Sequence, residues 1–180
     1  MNETQQWADG EEEALRYPLD RICVRSGILC PSCQRKVDTG IVKEYEIPIM
    51  KSLMEIEEEM KELRDQGEYI RSYKYDSFIV ILIRGIENLE VLERLSKKLS
   101  SKLRARVRVI NYSPEKKRIV EQLIYPATLL GVNTLWLPDG SEQTVIRISR
   151  QDQRFLAGKK KYLEEILSEL LGRPVRIRFE

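Results

Sequence analysis

The sequence predicts an α+β protein in which one α-β-β-α-α-β unit occurs twice behind a small cysteine-rich module. Three observations predict it. Apolar residues shift between helical and strand spacing in the same order over residues 48–111 and 112–180. The two stretches also keep register. Leu99-Ser100, Leu103 and Val107 match Leu167-Ser168, Leu171 and Val175 at an offset of 68, and Phe78 to Ile83 match Thr144 to Ser149 at an offset of 66. Internal similarity of this kind reads as a duplication, each copy a three-stranded sheet with helices on one face. Finally, three cysteines fall close together between Cys23 and Cys33.

Residues 1–19 hold Glu3, Asp9, Glu11, Glu12 and Glu13 against Arg16 alone and have few aliphatic side chains, so they read as a mobile acidic tail. Trp7 and Tyr17 have no evident docking place in it.

Residues 20–47 form the cysteine-rich module. The spacing is C-x6-C-x2-C, and Cys30-Pro31-Ser32-Cys33 is a zinc-knuckle turn, in which two thiolates two residues apart can face one tetrahedral ion. Cys23 supplies a third ligand. Structural zinc takes four, and Asp20 stands where the first member of a second pair would lie, so Asp20 or a water completes the set. Three reduced cysteines packing a small knob is the other reading. A redox pair of thioredoxin type would need a βαβ pattern that does not surround it.

The first unit, residues 48–111, opens with Pro48 and a helix whose Ile49, Leu53, Ile56, Met60 and Leu63 share one face. Glu55, Glu57, Glu58, Glu59 and Glu62 cover the rest, and Gly67 ends it. Strands over Tyr69 to Tyr75 and Phe78 to Ile83, a helix over Glu90 to Leu103 and a strand over Arg106 to Ile110 follow. One helix of the pattern is missing here: Gly85 comes too early to make a turn between helices, and Glu90 and Glu93 stand where that turn would be.

The second unit, residues 112–180, is complete. A helix over Ser113 to Ile124 precedes two strands, Thr128 to Leu137 and Thr144 to Ile148. They are joined by Pro138-Asp139-Gly140-Ser141, where Pro sets φ and Gly accepts a positive one. Ser149 with Asp152 marks a short helix start. The turn Gly158-Lys159-Lys160-Lys161 then leads into a helix bearing Leu163, Ile166, Leu167 and Leu170, stopped by Gly172 and Pro174. In the last strand Val175, Ile177 and Phe179 alternate with Arg176 and Arg178. Arg106 and Arg108 alternate in the same way in the first unit, so the four arginines are expected on open sheet faces as a second basic surface, either a docking face or a solubility device.

The net charge is only +2, but residues 94–118 are strongly basic, which points to a polyanion partner that the acidic tail can mask. No run is apolar enough to span a membrane and no signal peptide is evident, which gives a cytoplasmic expectation. The chain has no histidine, no glycine-rich phosphate loop and no nucleophile beside a base, so no enzyme activity is expected.

The α-β-β-α-α-β order with a glycine-and-lysine turn between adjacent helices resembles the type II KH domain, a binder of single-stranded nucleic acid. In that family the turn is Gly-x-x-Gly and clamps about four nucleotides through closely approaching backbone. Gly158 takes the first glycine position and Lys161 the second, which trades close approach for phosphate attraction. With Arg150 and Arg154 on the preceding helix, these residues are the expected RNA-binding set. Ser26-Gly27-Ile28-Leu29-Cys30-Pro31-x-Cys33 and Leu130-Gly131-Val132-Asn133-Thr134-x-Trp136-Leu137-Pro138-Asp139-Gly140 make the chain similar to the archaeal NusA-like KH proteins, over about residues 20–180. That resemblance implies a monomeric protein of the transcription apparatus, acting in elongation or termination, that contacts RNA and RNA polymerase. A ribosome- or RNA-processing scaffold using degenerate KH folds for protein contacts is the alternative.

Overall fold

The computed structural model describes residues 14–63 and 67–180; most of the expected acidic tail, including Trp7, lies outside them. In chain order the elements are α1 (Arg21–Ser26), α2 (Pro31–Asp38), α3 (Glu46–Glu59), a 3-10 turn (Lys61–Leu63), β1 (Glu68–Tyr75), β2 (Phe78–Arg84), α4 (Leu89–Leu103) and β3 (Arg106–Asn111). Then follow α5 (Lys116–Ile124), β4 (Leu129–Trp136), β5 (Glu142–Ile148), a 3-10 helix (Arg150–Leu156), α6 (Lys160–Leu171) and β6 (Val175–Phe179). The fold is mixed α+β, with two three-stranded sheets ordered β1-β2-β3 and β4-β5-β6. In each the first pair is antiparallel and the second parallel.

The two sheets repeat each other down to their irregularities. A bulge interrupts β1 between Tyr69 and Arg71, and another interrupts β4 between Leu129 and Gly131. Val107 N–H donates to the Ser100 hydroxyl at 3.0 Å and Val175 N–H to the Ser168 hydroxyl at 2.9 Å, a match at the expected offset of 68. The central strands need a correction. Ile79, Ile81 and Ile83 face the helices beside Val107 and Val109, as Thr144, Ile146 and Ile148 do beside Val175 and Ile177. The structural offset there is therefore 65 rather than 66, since a slip of one residue turns every side chain to the other face.

The layers run α3 and α4, first sheet, α5 and α6, second sheet. One apolar core lies under α3 and α4. It contains Ile79, Ile81 and Ile83 together with Leu15, Leu19, Cys23, Val24, Cys33 and Val42. The cysteine module is thus no separate knob, and residues 14–19 are not a free tail. Arg16 bridges to Glu68, and Tyr17 stacks on Tyr69 with its hydroxyl on Glu57. The second core joins the other face of the first sheet (Tyr73, Phe78, Val80, Leu82, Ile110) to α5, α6 and the second sheet. β2 is buried on both faces, which is what its unbroken run Phe-Ile-Val-Ile-Leu-Ile requires.

Neighbouring elements answer part of the charge read from the sequence. Arg94, Lys98 and Lys102 on α4 pair with Glu62 of the 3-10 turn and with Glu59 and Glu55 of α3, so part of the basic middle faces an acidic row. The first sheet's second face is covered by α5 and α6, so Arg108 is half-buried rather than on an open sheet, while Arg106 stays exposed at the start of β3.

Candidate metal centre and basic turn

Cys23 sits on α1, Cys30 caps the N-terminus of α2 and Cys33 lies in its first turn. The reversal between the two helices is made at Gly27, whose φ of 76° suits glycine. It brings one ligand atom from each of Asp20, Cys23, Cys30 and Cys33 to within 4.8 Å of one another. A tetrahedral ion with metal–sulfur bonds of about 2.3 Å separates its sulfurs by about 3.8 Å, so little contraction is needed to hold a metal. Main-chain donors already surround the sulfurs: Asp20 N–H lies 3.3 Å from Cys33 Sγ, Cys30 N–H 3.4 Å from Cys23 Sγ, and Cys33 N–H 3.5 Å from Cys30 Sγ.

These contacts divide the thiols. The Cys33 N–H donating to Cys30, at a helix N-terminus, holds the Cys30 thiol below its ordinary value. Burial pushes the Cys33 thiol up to about 11. Asp20 is exposed, and its Oδ2 lies 3.6 Å from Cys30 Sγ. Two buried sulfurs, one half-exposed sulfur and an exposed carboxylate at the rim form a donor set that could hold a metal ion.

The second candidate is the turn before α6. Gly158 adopts φ 72°, a conformation open to glycine, and nothing stands near the place of its missing side chain. Lys159 stands at the N-cap position of α6 without a side-chain cap bond, and Lys160 and Lys161 begin its first turn. Among the described residues Lys159, Lys161, Arg150 and Arg154 have no ion-pair partner. Lys160 is partly engaged, 3.9 Å from Glu164 and 5.6 Å from the centre of the Phe179 ring. The Arg154 guanidinium lies over Phe155 at 4.9 Å. The short helix between β5 and α6 is 3-10 in form. Ser149 stands at its N-cap without a side-chain cap bond, its carbonyl accepting from Asp152 N–H at 3.0 Å, and the Asp152 carboxylate accepts from Thr128 N–H at 2.8 Å.

The first unit also reaches this turn, which the sequence did not disclose. Tyr75 and Asp76, from the hairpin between β1 and β2, join Gly158, Lys160, Lys161 and Tyr162 around a cavity of about 470 Å³. Tyr162 stacks with Phe78 and meets Tyr75 at 5.7 Å, and its hydroxyl lies 3.4 Å from Asp76. The readable signal was the aromatic residue directly after the lysines.

The four arginines of the expected second surface are not brought together. Arg176 and Arg178 are exposed on the last strand, and Arg176 reaches Glu164 at 3.5 Å. Arg106 and Arg108 belong to the face of the first sheet turned toward α5 and α6, with that helical layer between the two pairs. Arg108 is half-buried in a groove of about 850 Å³ between α4, β3 and α5, and burial lowers its pKa against the opposing pull of Glu93 and Tyr125.

No helix among the described residues is long and apolar enough to cross a membrane. No protein-family model matches the chain, and no curated protein matches it. A solved structure described as the crystal structure of APE1850 is similar to 57% of this chain and 80% of its own, at 28% identity and a TM-score of 0.45.

Proposed function

We propose that the chain is a NusA-like protein of the transcription apparatus, built from two type II KH units, that binds single-stranded RNA through the turn at Gly158. The observation that carries this reading is the turn itself: a left-handed glycine followed by three lysines at the start of a twelve-residue helix, preceded by a 3-10 helix on which Arg150 and Arg154 are exposed and, among the described residues, outside any ion pair. Helix N–H groups and lysine charges both favour phosphate. Tyr75 and Tyr162 add ring surface on which a base can stack, while Asp76 keeps the floor of the cavity from being uniformly positive. The first unit lacks the second helix and the turn, and its α4 starts directly at Asn88, whose side chain caps Glu90 and Val91. In this reading it serves as a platform for the second unit. The ion at Asp20, Cys23, Cys30 and Cys33 is a structural zinc that fixes the α1–α2 reversal.

Titration of an unstructured RNA at two salt concentrations tests the clamp. Replacing Lys159, Lys160 and Lys161 by alanine should flatten the slope of log affinity against log salt by about 2, since each phosphate neutralised on a single strand contributes about 0.7. The loss should be alike for all sequences, because phosphate contacts carry no sequence information. If that variant binds like the parent while replacement of Arg106, Arg108, Arg176 and Arg178 abolishes binding, the clamp reading is wrong. Absence of RNA polymerase from material co-purified with the chain, with ribosomal particles in its place, would favour the scaffold alternative.

A further inference from the structure

Two three-stranded sheets have four edges, and the chain closes three of them with its own groups. On β1, Tyr69 N–H donates to Arg16 O at 2.9 Å, Ser72 N–H to Glu46 Oε1 at 2.7 Å, and the Tyr45 hydroxyl to Ser72 O at 3.0 Å. On β3, Val107, Val109 and Asn111 N–H groups donate to Ser100, Ser96 and Gln122 at 2.9–3.0 Å. On β6, Val175 and Ile177 donate to Ser168 and Glu164 at 2.9 and 2.8 Å. β4 is different. Among the described residues its main chain is paired with β5 and with no other element.

An open edge is ordinarily blunted by charge, proline or a bulge. β4 reads Leu-Leu-Gly-Val-Asn-Thr-Leu-Trp, with no charge and no proline, and its bulge sits at one end, leaving Gly131–Trp136 regular. Leu130, Leu135 and Trp136 are 48%, 39% and 69% exposed.

We infer that β4 is a self-association edge: two copies of this chain pair β4 with β4, antiparallel about a two-fold axis, into one sheet ordered β6-β5-β4-β4-β5-β6. The strand itself argues for a second copy as the occupant. An uncharged strand set against its own reverse opposes no like charges. Its exposed apolar residues sit at both ends, so antiparallel pairing centred on Asn133 sets Leu130 of one copy opposite Trp136 of the other as a cross-strand apolar pair. A charged strand from another protein would leave its charges against those side chains. A two-fold axis perpendicular to the sheet keeps the α5 and α6 layers of both copies on one side of the joined sheet. The inference does not rest on the RNA reading, although a dimer would carry two Gly158 turns in one particle and bind a long strand bivalently.

Sedimentation of the full chain from low micromolar to millimolar concentration tests it. The expected result is a monomer–dimer equilibrium whose midpoint moves at least about tenfold higher in a Leu135→Lys/Trp136→Lys variant. Ile22→Lys, which removes an apolar side chain 81% exposed elsewhere, should leave the midpoint unchanged. Hydrogen exchange of the unaltered chain should show the alternate amides of Gly131–Trp136 that point away from β5 gaining protection with concentration while those of β3 and β6 do not. A monomer throughout would overturn the inference, even if a strand of another protein were found on β4. So would a dimer that Ile22→Lys dissolves, or one that forms without protection of β4.

Discussion

A methyl group on Gly67 would run into the buried Leu15 side chain. This glycine, placed at a helix end from the sequence, has the further role of leaving room for a residue from a segment read as tail. Leu15 is 2% exposed, and its N–H donates to Glu57 Oε1 at 2.5 Å, so it has little freedom to withdraw. Leu15→Ala is expected to cost about 2–5 kcal/mol, the ordinary range for a buried leucine. Gly67→Ala should also destabilise, and the double variant should be less unstable than the two losses added, because the shortened side chain accommodates the methyl. Denaturant titration of all four proteins measures that coupling, expected at about 0.5–3 kcal/mol for residues in contact. Nothing in the local sequence announces this pair. Leu15 and Leu19 are isolated among polar residues, and their burial comes from the α1–α3 packing that follows.

At the scale of elements the sequence was most legible where a pattern is carried by many residues. The order and type of the helices and strands from residue 46 onward follow their periodicity, with ends displaced by a few residues. What escaped is what elements do to each other. The acidic row of α3 and the turn after it and the basic row of α4 each looked like a surface, and together they are a ladder of ion pairs, Glu62–Arg94, Glu59–Lys98 and Glu55–Lys102. The proximity of Asp20, Cys23, Cys30 and Cys33 was readable because ligand spacing is a local constraint, whereas the burial of Cys23 and Cys33 in the core of the first unit was not. That burial changes the expected outcome of metal loss. Protein isolated without chelator should carry one zinc per chain, and Cys30→Ser should release it. Loosening should then spread beyond residues 20–40 into α3, because Cys23, Val24 and Cys33 pack in one core with Ile49, Leu53 and Met54. Metal analysis followed by hydrogen exchange across α1 to α3 reads both effects. Zinc absent from the parent would refute the metal assignment, and exchange confined to residues 20–40 would restore the independent knob.

Taken whole, the molecule is tied together through β2. Its side chains enter the α3–α4 core on one face, with Ile79, Ile81 and Ile83, and the α5–α6 core on the other, with Phe78, Val80 and Leu82. The two units therefore do not each own a complete core, although the duplicated sequence made them look self-sufficient. In a fragment ending at residue 111, Tyr73, Phe78, Val80, Leu82 and Ile110 would all meet water. Fully burying a side chain of this kind contributes about 1.5–3 kcal/mol, so five of them represent a loss comparable to the whole stability of a small domain, about 5–15 kcal/mol. That fragment is expected to be molten or to aggregate, with secondary structure retained but fixed packing lost. The full chain should unfold from β1 to β6 as one cooperative unit. Hydrogen exchange under increasing denaturant is the deciding measurement: amides of β2 and β5 should reach the same opening free energy. If β5 opens well before β2, or a stable native fragment of residues 1–111 is obtained, the shared core is not what holds the two units together.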